Sequence, residues 1–87
     1  MANQLLKVRI VTPKQLVFEA DVLSVSSVNM AGKFDILPEH ANFITIVQGQ
    51  TITIRTRDKK RLVFTFPIAI IYNSENKVNI YTDIPLK

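Results

Sequence analysis

His40 is the only histidine of the chain, and histidine is the side chain most often used near neutral pH for proton transfer and metal binding. A catalytic triad would also need a serine or cysteine nucleophile and an orienting carboxylate. The chain has no cysteine, and none of its serines lies in a strained turn motif. A metal site would need more ligands than His40 and the adjacent Glu39. We therefore predict no catalytic residue and no metal site, and we interpret His40 as a loop residue that packs or hydrogen-bonds locally.

The acidic residues and the glycines also give no sign of a cofactor site. The seven Asp and Glu residues are scattered near predicted strand ends and turns, and no two of them stand out as a general acid and base. The two glycines, Gly32 and Gly49, lie too far apart for a glycine-rich phosphate loop. We expect the chain to bind no cofactor.

The densest charged feature is basic and admits two interpretations. Arg55, Arg57, Lys59, Lys60 and Arg61 follow one another closely. As a binding surface they would meet phosphates, which makes a small basic β-barrel that binds nucleic acid the alternative function. As a hairpin tip they would keep the strands soluble and discourage edge pairing. Nucleic-acid binding also calls for aromatic platforms between the charges, so we favour the hairpin tip.

Length and composition limit the architecture. At 87 residues the chain is predicted to form a single domain over residues 1–87. No apolar run approaches the roughly 18 residues of a membrane span. The first residues lack the charged and apolar regions of a signal peptide, so we expect none. The formal net charge of +4 is compatible with an acidic protein, a membrane surface or nucleic acid, and selects none of them.

Alternation of apolar and polar residues predicts β-strands along most of the chain. The strand signals fall in Leu6–Ile10, Leu16–Glu19, Val22–Val28, Phe43–Val47, Thr51–Arg57, Leu62–Phe66, Ile68–Tyr72 and Val78–Ile80. Turn residues recur every 8–12 positions or so, and no stretch shows a helical apolar stripe. The pattern predicts an all-β fold, an antiparallel β-sandwich of about eight to ten short strands. The less regular alternation of Val22–Val28 predicts either a β-bulge or an irregular edge strand.

The segment from Gly32 to Asn42 departs from this alternation and is interpreted first as a tight turn followed by a connector. Gly32 would supply a positive φ that other residues resist. Phe34 and Leu37 are predicted to fill the core, and Pro38 to fix the direction in which the chain leaves.

The same segment carries a family resemblance. The residues from Gly32 to Ala41, G-K-F-D-I-L-P-E-H-A, resemble the G-x-F-G-I-L-P-G-H-A signature of the epsilon subunit of F-type ATP synthases. Ordered matches extend over nearly the whole chain, in Val11-Thr12-Pro13, Val17-Phe18-Glu19, Val22 with Val25, and Val78–Asp83.

The match is imperfect at three informative positions. Asp35 and Glu39 stand where the family usually has glycine, so a loop that needs positive φ there must be shaped differently. Lys33 stands where the family often has an acidic residue.

The chain also reaches Lys87 without the C-terminal pair of helices common in the family, so we expect either a naturally short subunit or an isolated β-domain.

The resemblance implies a non-catalytic rotor component. In the family the β-sandwich lies at the foot of the central stalk, binds the gamma subunit, and rests on polar loops of the membrane c-ring. The resemblance thus implies a subunit that couples ion-driven rotation to ATP synthesis, peripheral to the cytoplasmic face of the cell membrane. The family's loop toward the ring corresponds to Gly32, Lys33, Glu39 and His40, which become the candidate partner-binding residues.

Overall fold

The computed structural model of the chain describes residues 4–82, and those residues form eight β-strands and no helix. The prediction of an all-β fold with about eight to ten strands is confirmed. The strands are β1 (Leu6–Val11), β2 (Leu16–Asn29), β3 (Gly32–Ile36), β4 (Phe43–Val47), β5 (Thr51–Thr56), β6 (Arg61–Thr65), β7 (Ala69–Ser74) and β8 (Lys77–Tyr81).

All eight strands belong to one curled sheet whose inner faces enclose a common core. The order of hydrogen-bonded neighbours is β4-β7-β8-β1-β2-β5-β6, with β3 also paired to β2. One layer therefore holds β4, β7, β8, β1 and the first half of β2. The other holds β3, the second half of β2, β5 and β6.

Strand β2 is longer than the sequence suggests and passes from one layer into the other. Its first half pairs with β1 from Leu16 to Val22, and its second half pairs with β5 and β3. The predicted Leu16–Glu19 and Val22–Val28 strands are thus one strand of 14 residues. The predicted bulge is present, because the register with β5 shifts between Val22 and Ser24.

The core is made by the alternating apolar residues of every strand except β6, whose inward side chains pack against it half-buried. Leu6, Val8 and Ile10 on β1 are fully buried, and Lys7 and Arg9 between them are exposed, as the sequence predicts. One core prediction is wrong. Leu37 is 54% exposed, because β3 ends at Ile36 and Ile36 takes the buried position.

One strand pair departs from the antiparallel arrangement. Strands β1 and β8 run parallel, with Lys7 opposite Lys77 and Val11 opposite Tyr81. The remaining pairs are antiparallel. Strand β8 therefore lies between β1 and β7, and the first described strand pairs directly with the last. The predicted closing strand ends at Tyr81, and its expected last residue, Asp83, lies outside the described residues.

The two layers are also tied together at one end by a hydrogen bond and an aromatic contact. Asn29, the last residue of β2, donates from Nδ2 to Thr45 Oγ1 on β4 at 2.9 Å. The ring of Phe34 on β3 lies 5.3 Å from the ring of Phe43 on β4. Strands β2 and β3 thus both contact β4, and these contacts hold the two layers together at this corner.

The in–out register of β3 can be tested with neighbouring residues. Phe34 is half-buried against the core and Lys33 is exposed. We expect Phe34→Ala to lower the free energy of unfolding by about 2–3 kcal/mol, less than for a fully buried phenylalanine. Lys33→Ala should change it by no more than about 0.5 kcal/mol. Urea denaturation measures both, and equal losses would contradict the register.

Candidate functional site

The four candidate partner-binding residues lie at the two ends of β3 and not in one loop. Gly32 and Lys33 begin the strand, and Glu39 and His40 lie in the turn that follows it. The rise of about 3.3 Å per strand residue puts Gly32 and Ile36 roughly 13 Å apart. The expectation of a single Gly32–His40 loop is therefore wrong, because half of that segment is paired with β2.

The Gly32 end is a tight hairpin. Gly32 has φ of +124° and faces Asn29 across the turn, so the predicted positive φ is confirmed. The Asn29 Oδ1 atom accepts a hydrogen bond from the Ala31 amide at 2.8 Å, which orders the turn. Lys33 follows with its side chain exposed on the outer face of the layer.

The Glu39 end is a type II turn over residues 37–40. The His40 amide donates to the Leu37 carbonyl at 3.1 Å, and Pro38 occupies the position that favours proline. Glu39 takes the next position with φ of +72°, where glycine is usual. A type II turn therefore accounts for the sequence of Pro38 followed by Glu39 in the left-handed conformation.

Asn76 holds this turn against the rest of the protein. The Glu39 amide donates to Asn76 Oδ1 at 2.7 Å, and Asn76 Nδ2 donates to Gln4 Oε1 at 3.0 Å. Asn76 and Glu75 have φ of +63° and +52°, as the two-residue type I′ hairpin between β7 and β8 requires. The sequence indicates the turn here, but not that its asparagine reaches a segment 37 residues away.

Asn73 is a second anchor that the sequence does not reveal. The pattern suggests a turn residue, but Asn73 lies in β7 and is fully buried. Its Nδ2 group donates to the carbonyls of Ala41 at 3.0 Å and His40 at 3.3 Å. Its Oδ1 atom has no hydrogen-bond partner among residues 4–82. Two asparagines, one in β7 and one in the β7–β8 turn, therefore hold the connector after β3.

The His40 side chain is exposed and contacts its own connector. Its Nδ1 atom lies 2.8 Å from the Ala41 carbonyl, so the ring donates from Nδ1, and its edge faces the Phe43 ring at 5.5 Å. The imidazole is exposed beside a groove of about 360 Å³ shared with Glu39, Asn42, Glu75 and Asn76. No group of three or more potential metal ligands occurs within residues 4–82.

A group of exposed apolar residues covers the outer surface of the layer that contains β4, β7 and β8. Its outward positions on β4 and β7 form the cross-strand pairs Ile44–Tyr72 and Ile46–Ile70, and Tyr81 on β8 lies opposite Ile70. All five side chains are exposed, by between 39% and 66%. We call these five residues the apolar face.

Two shallow apolar grooves flank Ile70 on this face. One, of about 550 Å³, is lined by residues of β1, β7 and β8 and of the segments next to them, including Pro13, Ile68 and Tyr81. The other, of about 560 Å³, is bounded by Ile44, Ile46 and Met30 at the β2–β3 hairpin. The Met30 side chain is 98% exposed. Ile70 thus lies on a ridge between two grooves, and exposed apolar surface of this kind is typical of protein-binding sites.

The identity of the fold follows from comparison with known families. Residues 5–85 match the family model described as ATP synthase, Delta/Epsilon chain, beta-sandwich domain. The chain belongs to this family.

Relatives of this delta/epsilon-type domain share about a third of its residues. The ATP synthase epsilon chain of Nitratiruptor is 32% identical over 84 residues, covering 94% of this chain and 65% of the relative. The epsilon chain of Campylobacter concisus is 35% identical over 78 residues, covering 90% and 60%. That of Protochlamydia amoebophila is 34% identical over 74 residues, covering 85% and 50%. The chain spans half to two-thirds of these relatives' length.

Solved structures show the same fold at much lower identity. A chain in the cryo-EM structure of the Euglena gracilis mitochondrial ATP synthase superposes with a TM-score of 0.81 at 12% identity. The match covers 93% of this chain and 53% of that one. A chain of the Tetrahymena thermophila central stalk and c-ring gives a TM-score of 0.76, also at 12% identity, covering 97% and 67%.

The two glycine replacements in this delta/epsilon-type domain differ in consequence. Asp35 lies in β3 opposite Ser26, whose hydroxyl donates to the Asp35 carboxylate, and it is not among the residues with positive φ. Glu39 keeps the left-handed backbone. Only the second replacement therefore places a residue with a β-carbon where glycine is favoured.

Backbone strain at Glu39 gives a test with a matched pair of variants. Glu39→Gly should raise the free energy of unfolding by about 1 kcal/mol, because glycine adopts positive φ without the steric cost. Glu39→Ala, which removes the same carboxylate but keeps the β-carbon, should stay within about 0.3 kcal/mol of the parent chain. Thermal denaturation monitored by circular dichroism measures both. A Gly variant no more stable than the Ala variant would contradict the left-handed assignment.

Proposed function

We propose that this chain is a non-catalytic subunit of the central stalk, the rotor, of an F-type ATP synthase. In this role it couples ion-driven rotation of the membrane ring to ATP synthesis by binding the gamma subunit and the c-ring. Membership of the delta/epsilon-chain family and the printed name of its relatives, ATP synthase epsilon chain, support the proposal.

The apolar face carries the proposal. A soluble monomer rarely leaves two aligned rows of isoleucine and tyrosine in water, and such rows indicate a protein partner. Tyrosine and large aliphatic side chains are typical of the buried centre of a protein interface. The five residues of the apolar face bear no formal charge, and the cations Lys7, Arg9 and Lys77 lie beside them on β1 and β8 of the same layer. We assign the apolar face to the gamma subunit.

The architecture suits a part that transmits torque. Each of the eight strands is hydrogen-bonded into one sheet, and the Asn29–Thr45 contact closes the corner between the layers. Deforming such a body would break several ladder hydrogen bonds at once, so force applied at one surface reaches the other with little internal movement. An active site is not needed for this role.

The ring-facing side is proposed at Gly32, Lys33, Glu39 and His40. Lys33 and Glu39 carry opposite charges at opposite ends of β3, so they offer a ring two separate contacts. The β2–β3 hairpin holds one contact, and the Asn76 bond to the Glu39 amide holds the other.

The proposed setting is the cytoplasmic face of the cell membrane, reached through the complex. Residues 4–82 include no helix with the length and apolar character of a membrane span. Attachment through the gamma subunit and the ring would make the chain a peripheral component of a membrane-bound assembly.

The gamma-binding assignment predicts a large effect at Tyr72. Tyr72→Ala should weaken binding to the gamma subunit of the same organism at least about tenfold, because central interface tyrosines are frequent hot spots. Gln50→Ala is the control, since Gln50 is exposed in the turn between β4 and β5. Isothermal titration calorimetry measures both affinities. Equal affinities of the two variants would exclude the apolar face, and no binding by the parent chain would exclude the function.

Cysteine cross-linking tests the ring-facing side. We expect Lys33→Cys or Glu39→Cys, in the assembled enzyme, to form disulfides with cysteines introduced into the polar loops of the ring. Lys14→Cys, in the turn between β1 and β2, serves as the exposed control. Non-reducing gel electrophoresis gives the yield, and a yield no higher than that of the control at both positions would contradict the ring assignment.

A further inference from the structure

The hairpin formed by β5 and β6 places two arginines directly opposite each other. Arg55 and Arg61 are cross-strand partners in the register, and both are exposed on the outer face of their layer. Directly opposed β-carbons lie about 4.5–5.5 Å apart, and like charges at that spacing destabilise a hairpin. The pair therefore needs an explanation other than stability of the free chain.

The β1–β2 hairpin of the same protein shows the opposite arrangement. Lys7 faces Asp21 across the strands with Nζ 3.6 Å from the carboxylate, and Arg9 faces Glu19 at 3.7 Å. Opposite charges are thus matched across one hairpin and like charges across the other.

The other charges of this outer face do not neutralise the arginine pair. Asp35 lies two strands away on β3, where it accepts a hydrogen bond from Ser26. On the other side of β5, Arg55 faces Ser24, and Arg57 and Lys59 follow at the hairpin tip. The tip carboxylate, Asp58, is already paired with Lys60 at 3.7 Å. A hydrogen bond from the Thr56 hydroxyl is the main reason why the pKa of Asp58 is lowered. Within residues 4–82, Arg55, Arg57 and Arg61 form no ion pair.

We propose that the outer face of the β5–β6 hairpin, at Arg55, Arg57 and Arg61, docks a carboxylate-rich segment of a protein partner. Each guanidinium presents a fork of N–H donors that matches a carboxylate. Two forks side by side fit two carboxylates, and their mutual repulsion disappears when the carboxylates bind. Thr53 and Thr65, exposed or half-exposed on the same outer face, add hydroxyl groups for hydrogen bonds. The proposal does not depend on the role in the rotor.

The face suits an acidic protein better than nucleic acid or lipid. The aromatic residues of this region, Phe64 and Phe66, turn inward and lie 6.2 Å apart, so no exposed ring is available for base stacking. Val63 is the one exposed large apolar side chain of β6, too little for insertion into a bilayer. The property of this face that points to a partner is its positive charge, which is complementary to the carboxylates of an acidic protein.

The first test measures the repulsion in the free chain. Arg61→Glu should raise the melting temperature by about 2–4 °C at low salt, because it converts a like-charge pair into an opposite-charge pair. The gain should shrink at about 1 M salt, where the Debye length is near 3 Å. Lys14→Glu makes the same change of charge in the β1–β2 turn and should give no comparable rise. A rise no larger for Arg61→Glu than for Lys14→Glu would overturn the premise.

The second test measures binding of an acidic probe. An octaglutamate peptide is titrated into the isotope-labelled chain at about 20 mM salt, and the Arg Nε–Hε and backbone amide signals are followed by NMR. We expect the largest shifts at Arg55 and Arg61, and an affinity at least about fivefold lower for Arg61→Gln. Lys14→Gln, with the same loss of charge, should lose less than about twofold.

Two further probes distinguish the other anionic partners. Vesicles of phosphatidylglycerol and phosphatidylcholine in equal parts, and an oligothymidine, are titrated under the same conditions. Arginine-dependent binding to the peptide supports the proposal. Arginine-dependent binding only to vesicles or only to the oligonucleotide overturns it, as does a peptide affinity that falls equally in the two glutamine variants or no binding at all. Gamma-subunit affinity is measured separately, so failure here leaves the rotor assignment intact.

Discussion

Strand β2 is shared by both layers, and the bulge within it makes this possible. Val22 and Val25 are three positions apart, so a regular strand would turn them to opposite faces. Both are fully buried, because the extra residue between Val22 and Ser24 resets the alternation. The first half of β2 can then direct its apolar side chains into the core from one layer, and the second half from the other. The positions of β1, β3 and β5 all follow from this one strand.

The connector after β3 depends on polar contacts and not on apolar packing. Leu37 points to solvent, and the segment is fixed by hydrogen bonds from Asn73 and to Asn76. Buried or directed amides specify geometry more narrowly than apolar contact does, because donor and acceptor must align. A connector held in this way keeps Glu39 and His40 in a defined place while leaving their side chains exposed to a partner.

The sequence predicts most of the strands and the inward residues, because period-two alternation is a local property. It does not predict that the two strand segments on either side of Ala20 are continuous, because the bulge hides their common register. The parallel pairing of β1 with β8 is equally hidden, since it joins residues from opposite ends of the described chain. For the candidate site, the motif marks Gly32 and His40 but not their separation by β3. The burial of Asn73 in a strand is not predicted, because asparagine is typical of turns.

The position of β8 has a consequence for how the protein reaches its native state. Strands β7 and β1 are both interior to the sheet only when β8 lies between them, and its contacts join Lys7 to Lys77. Until those long-range contacts form, two strands rich in isoleucine and valine expose unpaired backbone edges, to which other chains can add. Such high contact order slows folding, and the interval before β8 inserts is the period of greatest risk of aggregation. Ribosome-bound or truncated chains that lack β8 would therefore be the species most dependent on chaperones.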